Sequence, residues 1–160
     1  MKRRPWIGYL ATTAAVGATA VTGSVAVDPR SDWYRRLDKP AWQPPGSAFG
    51  PVWTALYASI AWSGGRSLGR AVDGDRRRYI AGLAANLALN AGWNWLFFGA
   101  RNPVAGLVGI AALNVSNLTL IRQTGRTDRT AAAALIPYAI WTGFATALNA
   151  DIVRRNSGRR

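Results

Sequence analysis

The chain contains no cysteine and no histidine, and only seven of its 160 residues are acidic. Without cysteine no disulfide can form, and without thiolate or imidazole the usual ligands of zinc are missing. The seven carboxylates all lie outside the long uncharged runs, and no nucleophile is paired with a base. We therefore predict no catalytic residue, no metal site and no required cofactor.

Charge is also missing from five long stretches, each close to the ~20 residues with which a helix crosses a bilayer: 5–27, 40–65, 79–100, 102–121 and 130–150. These stretches are apolar nearly all round, whereas helices of a soluble bundle have a polar outer face. The runs are also too long for barrel strands. We predict an all-α, multi-pass integral membrane protein whose single domain, 1–160, is a bundle of five transmembrane helices. The expected spans are about 5–27, 48–67, 79–99, 103–122 and 130–152, with a long folded loop between helices 1 and 2.

The net charge of +13 would fit a nucleic-acid-binding protein. The Lys and Arg residues instead stand at the ends of the apolar runs, where they meet lipid headgroups, and no nucleic-acid motif is present. We expect membrane lipid and no nucleic acid among the partners. The basic residues divide eleven against nine between the two sides, which leaves the orientation open. The first run, 5–27, could alternatively be a cleavable signal peptide, but its length favours an uncleaved transmembrane span.

The connection 28–47, "DPRSDWYRRLDKPAWQPPGS", is too rich in proline and charge to be a span. Its prolines stiffen the backbone and reduce the entropy lost when the segment packs. Trp33, Tyr34 and Trp42 give it apolar surface, and Gly46 and Gly50 are available as hinges. We predict a lid over a ligand cavity, with Trp42 in contact with the ligand. An interfacial anchor whose tryptophans sit at the headgroups is the alternative.

Three spans carry polar or aromatic side chains at helical spacing. Phe49, Trp53 and Tyr57 share one face of the second span, and Asn86 and Asn90 share one face of the third. Amides facing lipid are costly, so we expect the asparagines to point inward, either toward a ligand or as hydrogen-bonding glue between helices.

A second stripe in the third span consists of the small residues Ala84, Ala88 and Gly92. Such residues allow close helix approach, so we predict a tight contact there, within the bundle or across a dimer interface. In the fifth span Trp141, Ala145 and Asn149 share a face. The small alanine leaves room for a flat ligand against the indole.

Three blocks of the sequence, in order and spacing, resemble the TspO/MBR family, also called the tryptophan-rich sensory protein or translocator protein family: "KPAWQPPGSAFGPVWTALY" (39–57), "WNWLFFG" (93–99) and "PYAIWTGFATALNADIVRRN" (137–156). The resemblance implies five transmembrane helices, a bundle cavity for porphyrins such as haem and protoporphyrin, and a homodimer. It also implies that Trp53 and Trp141 line the cavity, with Asn86 or Asn90 and Ala145 nearby. The sterol-recognition segment of mammalian members needs an aromatic residue where this chain has Ala150 and Asp151, so sterol binding through that segment is not expected.

Taken together, the sequence favours a membrane sensor or regulator that binds porphyrins or similar flat hydrophobic molecules, and not an enzyme. Two alternatives stay open. One is an enzyme that degrades porphyrin in light, with Trp53 and Trp141 as electron donors. The other is a transporter of tetrapyrroles or lipids, which is disfavoured because the spans contain no charge and no inverted repeat.

Overall fold

The computed structural model describes residues 5–158, which form helices and connecting turns. The helices are α1 (Pro5–Ala26), α2 (Asp32–Arg36), α3 (Gly46–Arg70), α4 (Asp73–Asn94), α5 (Pro103–Thr127), α6 (Arg129–Ala134) and α7 (Ile136–Asn156). A π-helical turn, Trp95–Gly99, continues α4. None of the residues described forms a β-strand, so the fold is all-α as predicted.

Five of these helices are long and coincide largely with the five uncharged runs. By length and composition alone, two segments are apolar enough to cross a membrane: Pro103–Thr127 and Arg129–Asn156. The helices extend beyond the predicted spans, since α3 runs to Arg70 and α5 to Thr127. Arginine is a good helix former, so the loss of apolar character does not end a helix. Five crossings of the bilayer remain a prediction.

The last predicted span, 130–152, is not one helix. It breaks at Leu135, which separates α6 from α7. Pro137 explains the break, because its nitrogen carries no hydrogen for the carbonyl four residues earlier and its ring collides with that carbonyl. As the second residue of α7, the proline loses no intrahelical bond and starts the new helix favourably.

The long helices form a ring that is closed unevenly. α1 packs along α3 and α4, α4 packs along α5, and α5 packs along α7. α3 and α7, which would complete the ring, touch only sparsely. The bundle is therefore continuous on one side and weakly joined between α3 and α7.

The tightest helix contact made by small residues lies between α1 and α3. A Cβ on Gly65 would meet the Cα of Tyr9 at 2.8 Å, and one on Gly8 would meet the carbonyl oxygen of Gly65 at 3.1 Å. Only glycine permits this approach, which is the packing expected of helices in lipid. In addition, Thr12 Oγ1 donates to the Ala61 carbonyl at 2.8 Å, which ties the two helices together.

The predicted small-residue stripe is placed differently. Ala84 and Ala88 are exposed, and nothing lies within 4 Å of a Cβ built on Gly92. A tight contact of this stripe within the bundle is therefore wrong. The inner faces of α4 are taken by Leu83, Asn86, Leu87 and Asn90, which are buried. The stripe lies on the outer surface, where contact with a second copy stays a prediction.

At one end of the bundle α3 is fastened to the start of α6. Asp128 is buried and forms ion pairs with Arg66, at 2.6 Å, and with Arg70. The same carboxylate caps α6 by accepting from the Thr130 and Ala131 amides. Ser63 Oγ donates to the Ala131 carbonyl at 2.8 Å, and Ser59 Oγ donates to the Ala134 carbonyl. We call this set the α3–α6 clamp.

Candidate ligand site

The segment 27–45, which joins α1 to α3, contains the short helix α2. Ser31 caps the start of α2 by accepting from the Tyr34 amide. Lys39 caps its end: the ammonium donates to the carbonyls of Tyr34, at 2.6 Å, and Leu37, at 2.9 Å. A cation at a helix C-terminus is favourable there. These local bonds make α2 a defined unit, and we call residues 27–45 the α2 segment.

Aromatic rings attach the α2 segment to the π-helical turn. Trp33 meets Phe97 edge-on at 5.7 Å between ring centroids, and Tyr34 lies 5.2 Å from Phe98. Pairs at these separations stabilise by ~0.5–1.5 kcal/mol beyond their buried area. The wider π turn sits where α4 ends, and π turns are frequent at functional sites. It presents Phe97, which is buried, and Phe98 to the segment.

Polar contacts attach the same segment to the end of α7. The side-chain amide of Asn156 accepts from the Asp38 backbone amide and donates to the Asp38 carbonyl, both at 3.0 Å. Arg155 lies 3.9 Å from the Asp38 carboxylate. Further along the segment, Trp42 meets Phe144 of α7 edge-on at 5.7 Å. The α2 segment thus covers the ends of α4 and α7.

A small cavity of about 50 Å³ lies under this cover. Its walls come from the α2 segment, α3, α4 with its π turn, and α7: Tyr34, Phe49, Trp93, Phe97, Phe98, Ala145, Leu148, Asn149 and Ile152. Gly106 of α5 makes room on one side, because a Cβ there would come within 3.0 Å of Asn149 Oδ1 and 2.9 Å of the Phe97 ring. Asn149 donates to the Pro103 carbonyl at 2.8 Å and accepts from the Trp93 indole at 3.3 Å. The lining is aromatic and apolar, with few polar atoms.

The structure brings two of the eight predicted ligand residues to this cavity, Phe49 and Ala145. Trp141 does not line the cavity but packs against Phe49, which does, with 5.7 Å between ring centroids. Trp53 packs on Tyr57, at 5.2 Å, within the bundle core. Trp42 is 48% exposed. These four side chains surround the region without lining the closed cavity, and their contact with a ligand stays a prediction.

The predicted asparagines Asn86 and Asn90 belong to a buried hydrogen-bond network. Tyr57 OH donates to Asn90 Oδ1 at 2.9 Å, Asn90 Nδ2 donates to Tyr138 OH at 2.9 Å, and Tyr138 OH donates to Asn86 Oδ1 at 3.2 Å. Asn86 Nδ2 then donates to Asn117 Oδ1 at 2.7 Å. Each amide is therefore already paired with another helix.

The network continues between α5 and α7. Asn117 donates to Thr142, Thr142 donates to Asn114, and Asn114 donates to Thr146, over distances of 2.7–2.8 Å. The asparagines point inward as expected. Of their two predicted roles, the bonds between helices are the one seen in this structure.

The cavity residues that sequence reasoning did not assign to the ligand follow two periodic patterns. Ala145 was assigned, but Leu148, Asn149 and Ile152 continue the same face of α7 at spacings of three and four residues. Trp93 and Phe97 are likewise four residues apart on α4 and its π turn. The inward face of α7 was detectable from this spacing. The π turn was not, because it depends on how the last turn of α4 fits against α5.

Charged groups lie around the cover, outside the long helices' apolar stretches. Burial raises the pKa of the Tyr34 phenol, which accepts from Gln43 Nε2 at 3.3 Å. Burial lowers the pKa of Lys39, whose ammonium lies 4.7 Å from the Tyr34 ring centre.

These features define a class: a helical-bundle protein with a small aromatic cavity beneath a docked helical segment. Comparison with known proteins gives the family. The model of the TspO/MBR family matches residues 9–155, and the chain belongs to that family, as its sequence blocks predicted.

Relatives come from bacteria and animals. The chain is 35% identical to the tryptophan-rich protein TspO of Chlorobaculum tepidum over 129 residues, which cover 80% of this chain and 82% of that protein. It is 31% identical to the human translocator protein over 160 residues, covering 98% and 94%. It is 32% identical to the tryptophan-rich sensory protein of Cereibacter sphaeroides over 154 residues, covering 96% and 94%. These relatives are named as a tryptophan-rich protein, a translocator protein and a sensory protein, and none of the three names is that of an enzyme.

Proposed function

We propose that this protein is a membrane sensor or receptor that binds a porphyrin, or a similar flat hydrophobic molecule, in the aromatic cavity beneath the α2 segment. The lining of that cavity carries the proposal. Its rings offer stacking surface, while Asn149 and Tyr34 provide the few polar atoms that orient a ligand. No carboxylate lines it, so the site is suited to binding and not to acid–base chemistry.

From the small size of the cavity we infer that the structure is a closed state. Sites for drug-sized ligands are typically about 300–1,000 Å³, far above the 50 Å³ found here. A porphyrin fits only if the α2 segment moves away from the π turn and α7. The contacts that hold the segment are ring edges, one amide pair and a 3.9 Å ion pair. Each is individually weak, so binding energy from the ligand's large apolar surface can offset their loss.

Multi-pass insertion in the membrane is part of the proposal. It is supported by large apolar side chains exposed on each of the five long helices, including Leu10, Trp62, Ile80, Val108 and Ile140. A soluble protein rarely leaves such side chains uncovered all round. A homodimer is proposed with it, through outer faces that the single chain leaves open.

Porphyrin titration of the purified protein tests the function. Ala145→Leu fills the cavity from α7, and we expect loss of tryptophan quenching by protoporphyrin. Ala147→Leu is the matched control, because Ala147 is exposed two residues further along the same helix. Melting temperatures of both variants show whether they fold. Equal protoporphyrin affinity in the two folded variants would place the ligand elsewhere.

A light-driven breakdown of bound porphyrin is the second candidate. It is favoured by a run of oxidisable rings beside the cavity, since Trp141 contacts Phe49 and Trp53 contacts Tyr57. Illuminating the protoporphyrin complex distinguishes the two candidates. Bleaching that requires Trp53 or Trp141, tested with Trp→Phe variants, indicates degradation. A stable absorption spectrum indicates a sensor.

A further inference from the structure

The end of the bundle opposite the α2 segment is strongly basic. Here α3 ends, α4 begins, α5 ends and α6 begins. The buried carboxylate at this end, Asp128, is already shared by Arg66 and Arg70 in the α3–α6 clamp. The arginines beyond the clamp do not share this carboxylate.

Two of these arginines, Arg78 of α4 and Arg126 of α5, lie at the same height along neighbouring antiparallel helices. Asn86 of α4 donates to Asn117 of α5, and four residues earlier a Cβ on Gly82 would lie 2.6 Å from Gln123 Oε1. The two helices are antiparallel, so one more turn toward this end places Arg78 of α4 opposite Arg126 of α5. Both are exposed.

The neighbouring Arg77 and Arg122 are exposed as well. Among the side chains that the structure describes, which do not include that of Asp73, Asp75 lies 4.0 Å from Arg78, and both partners are well exposed. An ion pair of this length in water contributes little. We call Arg77, Arg78, Arg122 and Arg126 the α4–α5 basic cluster.

Directly inside the basic cluster the two helices present apolar surface to the outside. The outer face of α4 carries the exposed small residues Ala81 and Ala85, on the same side of the helix as Arg78, while α5 exposes Val115, at 66%, and Leu118, at 53%. These exposed apolar side chains follow the arginines along both helices, and we call them the apolar strip.

We propose that the α4–α5 basic cluster binds the headgroup phosphate of an anionic phospholipid whose acyl chains lie along this strip. Guanidinium groups bind phosphate oxygens through paired hydrogen bonds, and basic pockets between membrane helices are suited to anionic headgroups. The strip argues for a lipid, because a soluble phosphate compound or a nucleic acid would have no use for apolar surface below the charges. The inference rests on the proposed membrane insertion, but not on porphyrin binding.

Lipid retention by the purified protein tests the inference. The protein in mild detergent is mixed with phosphatidylglycerol or phosphatidylcholine, and bound lipid is counted by native mass spectrometry while melting temperature is followed. We expect retention and stabilisation with phosphatidylglycerol, and neither with phosphatidylcholine. The double variant Arg78→Gln/Arg126→Gln should bind phosphatidylglycerol at least roughly tenfold more weakly.

Arg35→Gln/Arg36→Gln is the matched control, since it removes two exposed neighbouring charges at the other end of the bundle. Equal lipid affinity in the two double variants overturns the proposal. Stabilisation by inorganic phosphate to the same degree as by the lipid also overturns it, because the acyl strip would then be irrelevant. A dimer that persists in phosphatidylglycerol and is broken by Ala85→Leu would show a second copy on the strip instead. Protoporphyrin titration of the same samples is independent, so failure of lipid binding is distinguishable from failure of the proposed function.

Discussion

The side chain of Asn156, near the end of α7, pairs with both backbone groups of Asp38, 118 residues earlier in the chain. The side-chain amide both accepts from the backbone N–H and donates to the backbone carbonyl of Asp38, as a backbone neighbour in a β-sheet would. Among the described residues, Asn156 is the one whose side chain makes two hydrogen bonds between the long helices and the α2 segment. Asn156 is therefore the residue at which docking of the segment is best tested.

Asn156→Ala is expected to speed the release of protoporphyrin about tenfold. Each hydrogen bond contributes ~0.5–1.5 kcal/mol, and a tenfold change corresponds to ~1.4 kcal/mol. Asn156→Asp keeps an acceptor for the Asp38 amide but loses the donor, so an intermediate effect is expected. Stopped-flow displacement measures the rates. Ser157→Ala is the control, since the Ser157 hydroxyl donates to the Val153 carbonyl of α7. Equal release rates in all three variants would show that Asn156 does not hold the α2 segment in place.

Trp42→Ala separates a lid from an interfacial anchor. As a lid residue, Trp42 keeps the segment closed through Phe144, and its loss should lower porphyrin affinity roughly tenfold, mainly through faster release. As an anchor, it would leave affinity unchanged and reduce membrane insertion. Trp62→Ala, at an exposed tryptophan on α3, controls for the loss of an outer indole.

Asn86→Ala should destabilise the bundle clearly more than Asn94→Ala. Asn86 is 0% exposed and joins α4 to α5 and α7, so truncation leaves buried partners unpaired at ~1–3 kcal/mol. Asn94 makes a long bond of 3.4 Å within its own helix. Thermal unfolding in one detergent compares the two. Similar melting temperatures would mean that the network rearranges without cost, as some membrane hydrogen bonds do.

Docking of the α2 segment should weaken at alkaline pH. Burial holds the pKa of Tyr34 above its ordinary value of 10.0, so the docked segment keeps a proton that a detached segment loses. The contribution is complete below pH 10 and is lost as pH rises through the raised pKa. Lys39 has the opposite effect. Burial lowers its pKa in the docked segment, so its contribution to docking improves as pH rises toward the ordinary pKa of 10.5.

The difference between wild type and Tyr34→Phe isolates the phenol, since Lys39 is present in both. We expect protoporphyrin release to accelerate above pH 10 in the wild type more than in the variant. Parallel pH profiles for the two proteins would show that Tyr34 does not titrate with docking.

Ala88→Leu tests contact between two copies. If the outer stripe of α4 forms a dimer interface, leucine at this exposed position keeps the monomer folded but shifts the oligomer toward monomer in analytical ultracentrifugation. Ala147→Leu, on the outer face of α7, should leave the oligomer unchanged. A dimer that is unaffected by Ala88→Leu would place the interface elsewhere.

The sequence predicted where the helices lie and which side chains face inward better than it predicted which helices and residues those side chains contact. Runs without charge located the five long helices, and the cost of exposed amides predicted that Asn86 and Asn90 point inward. Which partners they would meet was not predictable, because Asn117 and Tyr138 come from other helices whose register depends on packing. The stripe of Ala84 and Ala88 showed the opposite problem, since small residues suit any close neighbour and do not specify one.

The cavity was predictable only in part. Phe49 and Ala145 followed from the aromatic and small residues on α3 and α7. Phe97 and Phe98 were visible in the "WNWLFFG" block, but their direction depends on a π-helical turn that no periodicity of 3.6 residues predicts. The break at Leu135 was signalled by Pro137, which the interpretation of 130–152 as a single span did not use.

The α3–α6 clamp determines how the gap between α3 and α7 can widen. At that end α3 is held to α6 by ion pairs to the buried Asp128 and by hydrogen bonds, while further along the bundle α3 meets α7 through Phe49 against Trp141 and Trp53 against Tyr138. We therefore expect any separation of α3 from α7 to pivot near Asp128 and to be largest beside the α2 segment. A thin, wide molecule entering there would need only a small opening angle, whereas a bulky one would strain the α3–α6 clamp. We expect this arrangement to favour flat molecules, independently of any particular contact in the cavity.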